Sequence, residues 1–374
     1  MAVIIMKIAH FNCGIRGIAT YAINIYDYFQ PRGWDQLVIS EAPWTKRDIG
    51  AFQPGPHLLG GVIPWTTNMK ALEAKLDEFQ PDIIHGHHPS ARMDFHLDRM
   101  KRKYGVPVVD TIHMSVGSKK YFIDKVMHTV FMLDMPYCKE VDCFVAISKF
   151  VRNQLIELGL PKEKIVLLYA GVNPEIYKPL PRERHDTLEI CFIGQMTPEK
   201  GADMLIKAVH ELSATRKVRL SLVGNGTHAN VWRKWTKDWP EINWVGFLNS
   251  PAKVAEFYAK SDVCVLPTRW DEAFSYIPLE SLSCGTPVIA SAVGGNLEAI
   301  QSGQTGFHFE RGDGKALYEI LKNVEIERLW DMGAKGAEYC AKKHTLETFG
   351  RKYQALYENL KRDPAHLAPV EDGE

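Results

Sequence analysis

Short, continuous apolar runs alternate with longer amphipathic stretches along nearly the whole chain, and this alternation restricts the fold more than any other feature. VIIMKIAHF is followed by IATYAINIYDYF, whose apolar positions recur at helical spacing. QLVIS, DIIHGH, VPVVDTIH, CFVAIS and KIVLLY are further strand-length runs, with KFVRNQLIELG as a crossover helix closed by Gly159. Strands that are apolar on both faces and separated by helices form a parallel sheet covered on both sides. The pattern breaks at GVNPEIYKPLPRERHDT, which is rich in proline and charge, and then restarts with LEICFIG, ADMLIKAVHEL, VRLSLVG, INWVGFL, KVAEFYAKS, DVCVLP, YIPLESLSCG and TPVIAS. The expected organisation is therefore two Rossmann-like α/β domains facing across a cleft, residues 1–170 and 188–345, joined by a linker at 171–187. A C-terminal helix over 346–360 and a frayed tail at 361–374 follow.

Length and composition agree with this reading. At roughly 100–200 residues per domain, 374 residues make two domains, and 45% hydrophobic with 24% charged residues is ordinary for globular chains. The formal net charge of +0, from 45 basic and 45 acidic side chains, argues against a nucleic-acid binder. The seven cysteines, Cys13, Cys138, Cys143, Cys191, Cys264, Cys284 and Cys340, are scattered without a CxxC pair, which fits buried thiols in a reducing, cytoplasmic setting. The N-terminal apolar run reads as a first strand, and no stretch is long and apolar enough to span a bilayer.

Glycine turns follow several strands. FNCGIRGIATY places Gly14 and Gly17 where a helix begins, and ICFIGQMTPEKGADML places Gly194, Gln195, Lys200 and Gly201 before another helix. Helix N-termini of this kind attract anions, and Lys200 adds an ammonium suited to a diphosphate. VGNGTH repeats the turn at Gly224. The spacing is not the GxGxxG dinucleotide fingerprint, which removes an NAD-dependent oxidoreductase.

PTRWDEAFSYIPLESLSCGTPVIASAVGGNLEAI carries the densest signal. Glu272 falls in the loop after VCVLP, and Glu280 lies eight residues on, inside a helix that Pro278 requires to start near Tyr276. Glu280 is embedded among Ile277, Leu279, Leu282 and Cys284, and its carboxylate suits vicinal hydroxyls. The backbone N–H groups of Phe274 and Ser275 stand at the same helix mouth. His85, His87, His88 and His113 cluster at two strand ends. With no cysteine or carboxylate partner at ligand spacing, they read as hydrogen-bonding groups for sugar or phosphate, His87 or His88 foremost, rather than as a metal site.

These motifs together resemble the retaining glycosyltransferases of family 4, which have the GT-B fold. The E-x7-E motif is present as Glu272-AFSYIPL-Glu280, and SLSCGTPVIAS, GGNLEAI, SGQTGFHF, DIIHGHH, VVDTIH, FVAISKFVRNQL and LLYAGVNPEIYKP follow suit. The resemblance implies retaining transfer of a hexosyl unit from a nucleoside diphosphate sugar, UDP-linked or GDP-mannose, to an acceptor hydroxyl. It assigns Glu272 to the transferred sugar, Glu280 to the ribose, Lys200 to the diphosphate, Gly14 and Gly17 to donor phosphates or acceptor, and His87 to the C6 hydroxyl. It implies no tightly bound cofactor, no essential metal, and a last helix that returns to the N-terminal domain. Two departures stand out. Gln195 occupies the place of a usual arginine, with Arg16 and Arg269 as replacements to consider, and Ser275 replaces a common glycine. A related synthase or phosphorylase-type enzyme, or a degenerate binding or scaffolding homologue, is the alternative. The segment HMSVGSKKYFIDKVMHTVFMLDMPY mixes Lys119, Lys120 and Lys125 with Phe122, Phe131 and Met132, a composition suited to membrane contact or to a plain amphipathic cover. Monomer and homodimer both stay open.

Overall fold

The structure, a computed structural model, describes residues 5–12, 16–40, 58–62, 69–88, 93–116, 129, 131–132, 135–136 and 138–364. The chain divides into two compact units, Met1–Gly171 with Leu346–Glu374, and Val172–Thr345.

The first unit holds a seven-stranded sheet of β1 (Lys7–Asn12), β2 (Asp35–Ser40), β3 (Leu58–Val62), β4 (Ile83–His88), β5 (Val108–Ile112), β6 (Cys143–Ala146) and β7 (Ile165–Leu167). Their order is β3-β2-β1-β4-β5-β6-β7, and all pairs are parallel. β5 and β6 are buried at every residue, as continuous apolar strands between helix layers must be. Helices α1 (Arg16–Phe29), α2 (Met69–Phe79), α3 (Met93–Tyr104) and α4 (Lys149–Glu157) connect them. α1 buries Ile18, Tyr21, Ala22, Ile25, Tyr26 and Phe29, the stripe that its period of 3.6 predicts. α4 starts where Ser148 accepts a hydrogen bond from the Val151 N–H at 3.1 Å. β3 was not anticipated, because Gly60 and Gly61 interrupt the apolar signal of LLGGV.

The second unit repeats the design with β8 (Leu188–Ile193), β9 (Val218–Val223), β10 (Ile242–Gly246), β11 (Val263–Leu266), β12 (Val288–Ser291) and β13 (Gly306–Phe309), ordered β10-β9-β8-β11-β12-β13. Its helices are α5 (Ala202–Ser213), α6 (Ala229–Trp235), α7 (Pro251–Ala259), α8 (Tyr276–Ser283), α9 (Asn296–Ala299), α10 (Gly314–Asn323) and α11 (Ile326–Lys343). Leu205, Ile206, Val209 and Leu212 of α5 join Leu188, Ile190 and Phe192 of β8 in one core cluster. Each such side chain contributes about 1.5–3 kcal/mol by leaving water. GFHF, which belongs to no strand run in the sequence pattern, forms strand β13. Gly306 lies against β12, where a Cβ would stand 1.9 Å from the Val288 carbonyl oxygen.

Residues 172–187 do not hang free between the units. The Val172 N–H donates to the His344 carbonyl at 2.8 Å. Arg182 donates to the carbonyls of Ser261 and Gly285 at 2.8 and 2.9 Å and to the Thr286 hydroxyl at 2.9 Å. Helix α12 (Leu346–Arg362) belongs to the first unit, as expected of a returning helix, and runs two residues past the expected end. It buries Phe349, Tyr353, Leu356, Tyr357 and Leu360. Gly350 sits on the Tyr28 ring so closely that a Cβ would lie 2.0 Å from ring atoms. Residues 365–374 of the expected tail lie outside the described residues. Among the described residues, no helix is long and apolar enough to cross a membrane, and Cys138, Cys143, Cys191, Cys264, Cys284 and Cys340 are free and buried.

Candidate functional site

In the second sheet the chain leaves β8 toward β9 on one side, while β11 flanks it on the other. Loops at the carboxyl ends of β8 and β11 therefore diverge, and ligands of doubly wound sheets bind at such switch points. A cavity of about 340 Å³, including the solvent at its mouth, lies there. Gly194, Lys200, Thr268, Glu272, Ser275 and Asn296 are among its walls.

Backbone packing holds these residues in place. Gly201, at φ 72°, ends the turn that carries Lys200, and a Cβ on it would lie 1.9 Å from the Pro267 carbonyl oxygen. Gly224, at φ 134°, presses on Gly194 in the same way, with 1.9 Å to its carbonyl oxygen. Gly224 thus shapes the turn beneath Gly194. Gly294 and Gly295 back the loop at Glu272, where added Cβ atoms would lie 2.1 Å from the Glu272 oxygen and 2.4 Å from the Ala273 oxygen. Ser275 caps α8 by accepting from the Ile277 N–H at 3.3 Å, which confirms a helix start at Tyr276 and turns the helix N-terminus toward the cavity.

Lys200 Nζ lies 2.5 Å from Glu272 Oε1, and the Trp270 indole N–H donates to the same oxygen at 3.3 Å. The ammonium also sits 5.2 Å above the Trp270 ring. Gln195 is exposed and is not among the cavity walls. Arg269 does not replace the missing guanidinium: it grips both Asp203 oxygens at 2.7 and 2.9 Å and the Pro198 carbonyl at 2.6 Å. The Arg16 side chain and Gly14 lie outside the described residues. Phe274 is partly buried, its ring 6.4 Å from that of His344.

Glu280 has protein partners that the sequence does not reveal. Its carboxylate is not simply open to a ligand: Oε1 accepts from the Tyr177 hydroxyl at 2.9 Å and Oε2 from the Tyr258 hydroxyl at 3.2 Å. The residue keeps part of its surface exposed, yet protein surrounds the carboxyl group closely enough that desolvation raises its pKa. Asn296, within the GGNLEAI segment, carries no chemical signal of its own in the sequence. It is 1% exposed, its Nδ2 donates to the Ser291 carbonyl at 3.2 Å, and its Oδ1 is buried without a hydrogen-bond partner. Buried acceptors without a partner are rare in native folds, and the placement of this one at the cavity wall is visible only in the fold.

In the first unit the switch point lies between β1 and β4, and histidines collect there. His10 Nδ1 and His87 Nε2 are 3.2 Å apart, and His87 Nδ1 and His113 Nε2 are 3.3 Å apart. His85 bonds Tyr357 at 2.6 Å and Thr111 at 2.7 Å. Burial holds His10 at a pKa of about 3 and keeps His85 and His87 far below the ordinary imidazole value. His87 is fully buried with both nitrogens facing other imidazoles, so it presents no edge to a ligand here, whereas His113 is partly exposed. His10, His85 and His87 bring one nitrogen each within 4.8 Å of one another. In the structure the nitrogens of His85 and His87 already face Tyr357, Thr111, His10 and His113, while His10 Nε2 is buried without a hydrogen-bond partner. The His88 side chain lies outside the described residues, as do Lys119, Lys120, Lys125 and Phe122. Phe131 is buried and Met132 is 47% exposed. Gly17 lies in the first turn of α1, and a Cβ there would meet nothing within 4 Å.

Two family descriptions match the chain, "Glycosyl transferases group 1" over residues 175–342 and "Glycosyltransferase Family 4" over residues 15–176. An uncharacterized glycosyltransferase of Methanocaldococcus jannaschii is 26% identical over 91% of this chain and 90% of its own. The D-inositol 3-phosphate glycosyltransferase of Thermobispora bispora is 27% identical over 82% of this chain and 77% of its own. Anabaena HepE, crystallised with UDP and glucose, superposes with a TM-score of 0.76 at 17% identity, covering 93% of this chain and 98% of its own.

Proposed function

We propose that this chain, which belongs with the family 4-like glycosyltransferases of GT-B fold, transfers a hexosyl unit from a UDP-sugar or GDP-mannose to an acceptor hydroxyl with retention at the anomeric carbon. That it is a glycosyltransferase acting on a nucleotide sugar rests on the family matches. Donor, acceptor and stereochemistry are our reading.

The observation that carries the reading is the juxtaposition of Lys200 and Glu272 at the cavity beyond β8 and β11, with the N-terminus of α8 beside them. An arriving diphosphate takes the Lys200 ammonium away from Glu272, because two phosphates outcompete one carboxylate for it. Glu272 Oε1 is thereby released to accept from sugar hydroxyls. As the glycosidic bond breaks, negative charge grows on the diphosphate, where Lys200 and the N–H groups at Phe274 and Ser275 stabilise it without reorganising. Glu280 takes the ribose. The leaving phosphate accepts the acceptor's proton on the face it departs from, which gives retention without a dedicated base. Asn296 Oδ1 accepts from a donor group on the ligand. No step requires a metal.

HepE with UDP and glucose favours a UDP-linked donor. Calorimetric titration with UDP, GDP and ADP, on wild type and Glu280→Ala, tests the reading. One nucleotide binding to the wild type, weakened in the variant, is the expected result, and a product assay with the matching sugar follows. No binding at millimolar concentration makes the chain a degenerate binding homologue.

A further inference from the structure

We infer that Tyr177 and Tyr258 are positioning residues for Glu280, holding its carboxylate so that one acceptor direction on each oxygen is left for a vicinal diol, the 2′,3′-hydroxyls of a ribonucleotide. This deepens the donor reading above and rests on it.

The two tyrosines come from separate elements. Tyr258 stands on α7, is 0% exposed, and donates to Oε2 at 3.2 Å. Tyr177 stands in the segment after Val172 and donates to Oε1 at 2.9 Å. Each carboxylate oxygen has two lone-pair directions. One hydroxyl on each leaves one on each, which is the pattern a pair of adjacent hydroxyls satisfies. A glutamate side chain has three rotatable bonds and loses rotamer freedom when fixed. Here two hydrogen bonds within the protein have already fixed it, so the ligand does not carry that cost. Tyr177 itself is held by its backbone, since its N–H donates to the Asn173 carbonyl at 3.0 Å and Asn173 also caps the Glu175 N–H at 2.9 Å. The sequence separates Tyr177 from Glu280 by 103 residues, and only the fold brings the hydroxyl to the carboxylate.

The test compares the nucleoside diphosphate that binds the wild type with its 2′-deoxy counterpart, on wild type, Tyr177→Phe and Tyr258→Phe. Phenylalanine keeps the ring and removes only the hydroxyl. We expect the ribonucleotide to bind about tenfold more weakly to Tyr177→Phe, the loss of about one hydrogen bond's orientation. The 2′-deoxy ligand, which does not engage both oxygens, changes by less than about twofold. Tyr258→Phe behaves alike. Melting curves show whether each variant is folded, and Tyr177→Phe alone suffices if the buried Tyr258 site does not tolerate the change. Equal losses for both ligands overturn the inference and leave Tyr177 a structural brace. A wild type that binds UDP, GDP and ADP equally poorly overturns the donor reading and this inference together.

Discussion

Gly295 donates its backbone N–H to the carbonyl oxygen of Glu272 at 2.7 Å, so the residue proposed to hold the transferred sugar hangs from a glycine pair on the loop after β12. Gly294 adopts φ 47°, in the left-handed region, and leaves no room for a Cβ beside the same carbonyl. Gly294→Ala is expected to cost about 1–3 kcal/mol through backbone strain and overpacking. The Glu272 loop must shift to accept it, so kcat falls by more than nucleotide affinity does. Thermal melts and steady-state kinetics read both, and full turnover in this variant would remove the loop from the mechanism.

Lys200 is the cation among the described cavity walls; the neutral Gln195 is exposed and outside them, and Arg269 is held by Asp203. Lys200→Met should weaken a nucleoside diphosphate by about tenfold or more, given about 1.5–3 kcal/mol for a charged hydrogen bond. The corresponding monophosphate should lose distinctly less. Calorimetry with both ligands decides it, and equal losses would place the ammonium away from the terminal phosphate.

Glu280 trades stability for binding. Desolvation raises its carboxyl pKa in the folded chain, while the unfolded chain titrates at about 4.3. Between those two values the folded state holds more protons, so stability falls as pH rises through the window and the penalty is complete above it. Glu280→Gln should therefore melt higher than wild type at pH 7, with the gap closing toward pH 4, while nucleotide affinity drops. A variant that melts lower at pH 7 would mean that the Tyr177 and Tyr258 hydrogen bonds outweigh the desolvation.

The histidine core makes the first unit acid-sensitive. His10, His85 and His87 are held neutral by burial among His113, Gln36, Thr111, Tyr353 and Tyr357, whereas in the unfolded chain each takes a proton near pH 6.5. Below that pH the unfolded state binds more protons, so stability is lost as pH falls, at up to about 4 kcal/mol per pH unit for three groups. Hydrogen exchange from pH 7.5 to 5 should show the first unit opening before the second, and His10→Gln should flatten the slope by about one proton. Equal acid sensitivity of the two units would contradict this assignment.

Much of the molecule is legible in its residues because it is written in local patterns. Continuous apolar runs between amphipathic stretches dictate parallel strands under helices, and β5, β6, β8 and β11 lie where such runs occur. Pro278 locates the start of α8 from covalent geometry alone, and Glu272 and Ser275 of the E-x7-E segment line the cavity beyond β8 and β11. β3 and β13 escaped because glycines break their apolar signal, and their pairing is decided by a neighbouring strand. The roles of side chains were settled by distant partners. Arg269 is taken up by Asp203, Glu280 by Tyr177 and Tyr258, and His87 by His10 and His113, and no local window contains those contacts. Periodicity fixes which face of an element is buried, since it depends on neighbours along the chain. Which hydrogen bond a buried polar group makes depends on what the tertiary fold brings within about 3 Å of it, and that only the folded structure decided.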